Sequence, residues 1–142
     1  SGLYLGQILR MRKARRVFIA IIREALAVAE AMGIRVPPYG GRLDYYSLMS
    51  GTGAFADFRR HILIRLIGFK YRRFKSSTLL ALGRGKPTEV DYYNGFIARK
   101  GAELGVDTPV NSRITQMVKE IESKARMSDP ANFDDPMLSA HL

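Results

Sequence analysis

No cysteine occurs among the 142 residues, and histidine occurs only as His61 and His141. The first absence excludes disulfides, zinc–thiolate centres and cysteine nucleophiles, and it fits a reducing compartment. The second leaves too few imidazoles for a multi-histidine site, so no metal is expected. No apolar run reaches the ~18 residues that a membrane span requires. The first apolar stretch is broken by Arg10, Arg12 and Lys13; it does not read as a secretory leader, and a cytoplasmic protein is expected. No segment reads as a strand, since none pairs β-branched residues with a two-residue alternation.

What is present suffices for one hydrophobic core: 46% of the residues are apolar, in a chain of single-domain length. Charge is uneven. Residues 1–75 carry 15 Lys/Arg against 4 Asp/Glu, and residues 76–142 carry 8 against 9, for a net charge of +10. A basic half raises nucleic acid, an anionic membrane or an anionic small molecule as partners; a solvated surface, or one facing an acidic partner domain, are the plainer accounts.

The spacing predicts about five helices. Ile8, Val17, Phe18, Ile21, Ile22, Ala25, Val28, Ala29 and Met32 recur at helical intervals over 8–32, with Gly33 as the terminating residue. Residues 35–53 form a loop with one short helical turn near 43–48. Residues 54–74 read as a second helix with Phe55, Phe58, Ile62, Leu66 and Phe69 on one apolar face, ending in the basic–aromatic run Lys70-Tyr-Arg-Arg-Phe-Lys75. A short helix is expected over 76–84. Thr88 is placed to cap a helix over 88–104, with Pro87 marking its boundary and Gly105 closing it. Thr108 and Pro109 then open a last helix striped by Val110, Ile114, Met117, Val118, Ile121 and Ala125. Residues 1–127 form one domain in this reading, and 128–142, with Pro130 and Pro136, an extended tail that wraps it or serves an interface. The fold class is all-α.

Two glycine motifs are set aside. Gly51-Thr-Gly-Ala-Phe-Ala56 fits G-x-G-x-x-A, but no buried strand precedes it and no acid follows at about 20 residues. Gly85-Lys86 lacks the other residues of a P-loop.

The longest ordered motif is Ser76-Ser77, then Pro87-Thr-Glu-Val-Asp-Tyr-Tyr-Asn-Gly95, Leu104-Gly-Val106 and Thr108-Pro-Val-Asn111. This string resembles the C-terminal domain of ketopantoate reductases (2-dehydropantoate 2-reductases), over about 76–122, with a weaker echo in 2–36 that includes Arg23–Ile34. The resemblance implies a helical bundle joined to an N-terminal Rossmann domain that binds NADPH, and hydride transfer to the ketone of a 2-oxo acid. It implies Ser77, with Ser76 beside it, as substrate-binding and Glu89 as the acid near the cofactor ribose. The family's catalytic lysine, in a Lys-x-x-x-Asn helix, would precede residue 1, so no catalytic residue is assigned here. The family often has Asn where this chain has Leu5. Without the resemblance, Ser77 reads as a helix N-cap and Glu89 as a first-turn acid favoured by the helix dipole.

Three functions follow. The first is half of an NADPH-dependent 2-oxo-acid reductase, silent by itself, partnered by its own Rossmann domain and forming a homodimer; the Ser at position 1 fits a piece of a longer protein. The second is a stand-alone basic helical module for nucleic acid or anionic surfaces, although no nucleic-acid-binding signature is recognisable. The third is a dimerisation domain without catalysis.

Overall fold

The computed structural model describes residues 3–41, 43–74 and 77–142. Among them the chain is all-α, in eight helices: α1 (Leu5–Arg10), α2 (Arg12–Ala31), α3 (Tyr45–Met49), α4 (Ala54–Lys70), α5 (Ser77–Gly83), α6 (Asn94–Leu104), α7 (Pro109–Glu122) and α8 (Pro136–Ser139). Two 3-10 turns, Val90–Tyr92 and Pro130–Asp134, precede α6 and α8. The fold class is the expected one; the helices are shorter and more numerous than the pattern suggested.

Helix α2 is the spine. One side carries Val17 and Ala20 into a cluster with Val110 and Met117 of α7 and Leu138 of α8. The other carries Ile19 into a cluster with Leu9 of α1 and Ile64 of α4. The predicted single helix over 8–32 is broken at Met11, whose ψ of 126° is extended. The break has a partner: the buried Arg15 guanidinium donates to the carbonyls of Leu9 (2.9 Å) and Arg10 (2.7 Å) at the end of α1. Those carbonyls have no intrahelical donor, so an arginine one turn later in sequence turns the chain. Arg15 Nε also donates to His61 Nδ1 at 3.1 Å. Burial, and then the charge of Arg15, push the His61 pKa below its usual 6.5, with Arg12 and Arg16 adding to the effect and Asp57 opposing it.

Helices α1 and α4 meet at backbone distance because both contribute glycine. A Cβ on Gly6 would lie 2.5 Å from Arg72 Cα, and one on Gly68 would lie 2.7 Å from Leu9 Cβ. The buried side of α4 is therefore Ala56, Arg60, Ile64 and Gly68. The apolar face read from the sequence is turned to solvent: Phe55, Phe58, Ile62, Leu66 and Phe69 are 82%, 63%, 42%, 60% and 63% exposed. Arg60 instead fills the interior, donating to the carbonyls of Met49 (2.8 Å), Ser50 and Gly51 and pairing with Asp57. The glycines of the rejected dinucleotide motif, Gly51 (φ 81°) and Gly53 (φ 87°), shape this turn into α4.

The α6–α7 hairpin is registered by polar contacts. Helix α7 starts in the interior: Thr108 is buried, Val110 is 1% exposed and Asn111 is fully buried. Thr108 stands at the N-cap position, but its side chain makes no capping bond. Glu24 of α2 supplies the cap, accepting from the backbone N–H of Val110 (2.8 Å) and Asn111 (2.9 Å) and from Asn111 Nδ2 (2.7 Å). Asn111 Oδ1 accepts from Asn94 Nδ2 of α6 at 2.8 Å. Gly101 lets α6 approach, since a Cβ there would lie 2.6 Å from the Val106 carbonyl. Gly105 closes α6 in the left-handed conformation, as expected, with Val106 N–H bonded to the Gly101 carbonyl at 2.8 Å.

Residues 128–142 return along α2 and α7. Asp135 caps α8 and pairs with Arg113 of α7 at 2.6 Å; both side chains are buried. The Arg113 guanidinium, opposed by burial and helped by bonds to the Leu138 and Met137 N–H groups, holds the Asp135 carboxyl down to about 2. Asp134 pairs with Lys13, and the Leu142 carbonyl accepts from Arg16.

Three outcomes follow for stability. Glu24→Ala strands two buried N–H groups and the Asn111 amide, and should lower unfolding free energy in urea by roughly 2–3 kcal/mol. Asp135→Ala leaves Arg113 buried and unpaired, and should cost roughly 3–5 kcal/mol. Acid should weaken the fold in two steps. His61 binds its proton less readily folded than unfolded, so its contribution is present above 6.5 and is lost as pH falls through its lowered folded value. The Asp135 contribution is present above 3.8 and is lost as pH falls toward about 2. Urea midpoints measured against pH should lose the first step in His61→Gln and shrink the second in Asp135→Asn.

Candidate functional site

The segment that carries the motif, residues 77–95, runs as α5, a turn, the 3-10 turn and the start of α6. Helix α5 ends at Gly83, and Gly85 (φ 64°) reverses the chain so that Lys86 N–H bonds the Ala81 carbonyl at 3.0 Å. The next residues are fastened to α7. Thr88 N–H donates to Glu122 at 2.7 Å, and Asp91 pairs with Lys119 at 2.5 Å. Thr88 Oγ1 accepts from Val90 N–H at 3.3 Å, but Thr88 is not the helix cap that the sequence suggested: Glu89 stands at the N-cap of the 3-10 turn and Tyr93 at that of α6, and neither makes a side-chain capping bond. Between them Tyr93 (φ −105°, ψ −91°) breaks the helix predicted over 88–104.

Glu89 is exposed on this turn, and no ion pair or hydrogen bond engages its carboxylate among the described residues. It lies five residues before the first residue of α6, outside the first turn where a dipole would favour an acid. Ser77 is exposed in the first turn of α5. Ser76 lies outside the described residues.

One hollow is walled in part by this segment, and a second has none of residues 77–95 on its walls. One, of about 360 Å³, lies between α5 and α7, with Leu79, Leu82, Lys86, Pro87, Ile121 and Glu122 on its walls. The other, of about 570 Å³, is aromatic, with Phe18, Tyr39, Tyr45, Lys70 and Phe74 around Leu5. Burial, followed by the neighbouring Tyr39, raises the Tyr45 pKa above its usual 10. Leu5 N–H bonds the Phe74 carbonyl at 2.9 Å, which brings the Leu5 position beside the chain three residues before Ser77. Neither Ser77 nor Glu89 lines either hollow. The structure thus fixes Glu89 to the α7 framework and leaves Ser77 on α5, without drawing the two into one of these cavities. The aromatic hollow escaped the sequence reading because its walls come from α1, α2, α4 and the 39–45 loop; the run Lys70–Phe74 was its one visible sign.

Part of the basic half is engaged within the chain. Arg15 and Arg60 are buried, Lys13 and Arg16 hold the C-terminal segment, and Arg72 lies over the Phe69 ring at 5.0 Å. Among the described residues no cluster of acids and histidines has the makings of a metal site, and no helix is long and apolar enough to cross a membrane.

Residues 2–122 match the family model described as ketopantoate reductase PanE/ApbA C terminal. A 2-dehydropantoate 2-reductase of Pyrobaculum aerophilum is 28% identical over 118 residues, covering 83% of this chain and 35% of its own length. That of Archaeoglobus fulgidus is 47% identical over 49 residues, 34% of this chain and 17% of the relative. The crystal structure of a PanE/ApbA family ketopantoate reductase from Ralstonia eutropha JMP134 superposes with a TM-score of 0.64 at 30% identity, over 86% of this chain and 34% of that one. The chain spans about a third, or less, of the length of these relatives. With its all-helical fold and the motif of residues 77–111 in place, this chain belongs to the ketopantoate reductase C-terminal domain family.

Proposed function

We propose that the chain is the C-terminal half of an NADPH-dependent 2-oxo-acid reductase, acting on 2-dehydropantoate or a close relative to give pantoate for pantothenate synthesis, in the cytoplasm and as a homodimer. The observation that supports it best is the family match across residues 2–122. Its own Rossmann domain would be the partner that carries most of the cofactor. NADPH supplies the hydride that reduces the ketone.

This chain's residues would bind and orient. Glu89 suits the cofactor's ribose: its carboxylate is an acceptor, exposed and unengaged among the described residues, on a turn anchored to α7 through Thr88 and Asp91. A preorganised acceptor for sugar hydroxyls loses little entropy on binding. Ser77 has a hydroxyl that donates to a carboxylate or bonds a substrate hydroxyl. The proton for the developing alkoxide is assigned to the family lysine, outside this chain.

The nucleic-acid reading is weaker, because several of the basic residues that suggested it, Arg15, Arg16 and Arg60 among them, are bound to the protein itself. In a protein joining this domain to a Rossmann domain, Glu89→Ala should weaken NADPH binding about 10- to 100-fold, the worth of one charged hydrogen bond. Ser77→Ala should raise KM for the 2-oxo acid while leaving NADPH affinity in place. Fluorescence titration of NADPH and steady-state kinetics read the two separately; unchanged affinity in Glu89→Ala removes that residue from the site. The 142-residue chain alone, mixed with NADPH and 2-dehydropantoate, should oxidise no NADPH.

A further inference from the structure

We propose that Tyr92 is a second cofactor-binding residue, whose ring stacks on the base of the same nucleoside whose ribose Glu89 holds. This rests on the reading of Glu89 given above and adds a partner for the base.

The geometry comes from the 3-10 turn. Tyr92 N–H donates to the Glu89 carbonyl at 3.0 Å. On such a turn side chains three residues apart eclipse one another, about 6 Å apart along the axis. Glu89 and Tyr92 therefore leave the turn on one side. The positions between them are committed elsewhere: Val90 is 3% exposed, Asp91 pairs with Lys119, and the Asp91 carbonyl accepts from Arg99 at 3.2 Å. Tyr92 is 80% exposed. An unengaged carboxylate and a phenol ring thus share the outer side of a turn that α6 and α7 both hold.

The occupant follows from the pairing of these two chemistries. A ribose is bonded directly to its base, so a ligand that brings its hydroxyls to Glu89 brings the base to the eclipsed side chain. A carboxylate accepts from sugar hydroxyls, and an aromatic ring offers a face on which any base can stack. A plain protein surface over Tyr92 fits less well. It would take the Glu89 carboxylate out of water with it, and a buried charge without a partner is costly. No basic residue of this chain pairs with Glu89 among the described residues. A nucleoside brings its own hydrogen-bond donors. Because the turn is already fastened through Thr88, Asp91 and Arg99, ring and acid lose little freedom on binding.

The test uses a protein joining this domain to a Rossmann domain. Tyr92→Leu should weaken NADPH binding about tenfold, the scale of one base–aromatic stack, while Tyr92→Phe, which keeps the ring, should stay within about twofold of wild type. Tyr93→Leu, about a third of a turn further round, is the control and should also stay near wild type. A direct signature comes from tyrosine-labelled protein by NMR. The Tyr92 ring resonance, identified by its loss in Tyr92→Phe, should move upfield when NADPH is added. Reduced nicotinamide mononucleotide and 2′,5′-ADP then separate the cofactor's two bases, since the fragment that reproduces the shift carries the stacked one.

A Tyr92→Leu variant with unchanged NADPH affinity, where Glu89→Ala weakens it, would overturn the stacking and leave the reductase reading standing. A lowered thermal midpoint without NADPH, again with affinity unchanged, would mean that protein covers the ring, and would overturn it too. If Glu89→Ala also leaves affinity unchanged, the roles of Glu89 and Tyr92 fall together, and NADPH-dependent reduction of a 2-oxo acid by the same protein would still uphold the reductase. Should Tyr92→Leu fail to fold, the wild-type resonance decides by itself: one that NADPH leaves in place overturns the proposal.

Discussion

A helix that begins inside a protein must find acceptors for its first N–H groups, and α7 meets that demand with a carboxylate from another helix. Pro109 removes one donor, but Val110 and Asn111 are buried and their N–H groups remain. Water is not at hand, and the Thr108 hydroxyl does not turn to them. Glu24 does, and in doing so fixes α7 against the middle of α2. Asn111 spends its amide on Glu24 and its carbonyl on Asn94, which extends the constraint to α6. With Gly101 admitting the Val106 carbonyl and the Thr108 side chain, the three helices have one register. A buried polar network of this kind is costly when incomplete and specifying when complete.

The motif segment inherits its position from that framework. Glu122 and Lys119 lie on the outer end of α7 and hold Thr88 and Asp91. Glu89, between them, is set by the same helix that Glu24 caps, although the two glutamates share no contact. On the other side of α2, α1 and α4 are joined by different means: paired glycines allow backbone approach, and two buried arginines, Arg15 and Arg60, satisfy the carbonyls left at chain reversals. The basic excess of the first half is thus partly a packing device.

What was legible in the sequence is what depends on neighbours in sequence. Gly33 and Gly105 end helices through bonds closing within one turn, so their positions could be read directly. The break at Met11 could not, because its cause is a side chain reaching back from α2. Thr108 looked like a cap for the same reason that any threonine before a proline does; the true cap lies 86 residues from Val110 in sequence. The apolar stripe of α4 was legible as a stripe, but a period says which face is greasy and not which is covered. Here the covered face is Ala56, Arg60, Ile64 and Gly68, with glycine where α1 comes closest because that contact leaves no room for a side chain. Ser77 and Glu89 came from the family resemblance, and no local rule distinguishes them from ordinary turn residues.

These two halves divide the domain's surface by stiffness as well as by chemistry. The Glu89 turn is held by buried or half-buried polar contacts to a helix whose own N-terminus is fully satisfied, the preorganisation a binding residue needs. The α4 stripe rests on glycine contacts and on carbonyl bonds from arginine, which set an orientation without using its aromatic side chains. The two supports meet at α2, which packs Val17 and Ala20 toward α7 and Ile19 toward α1 and α4.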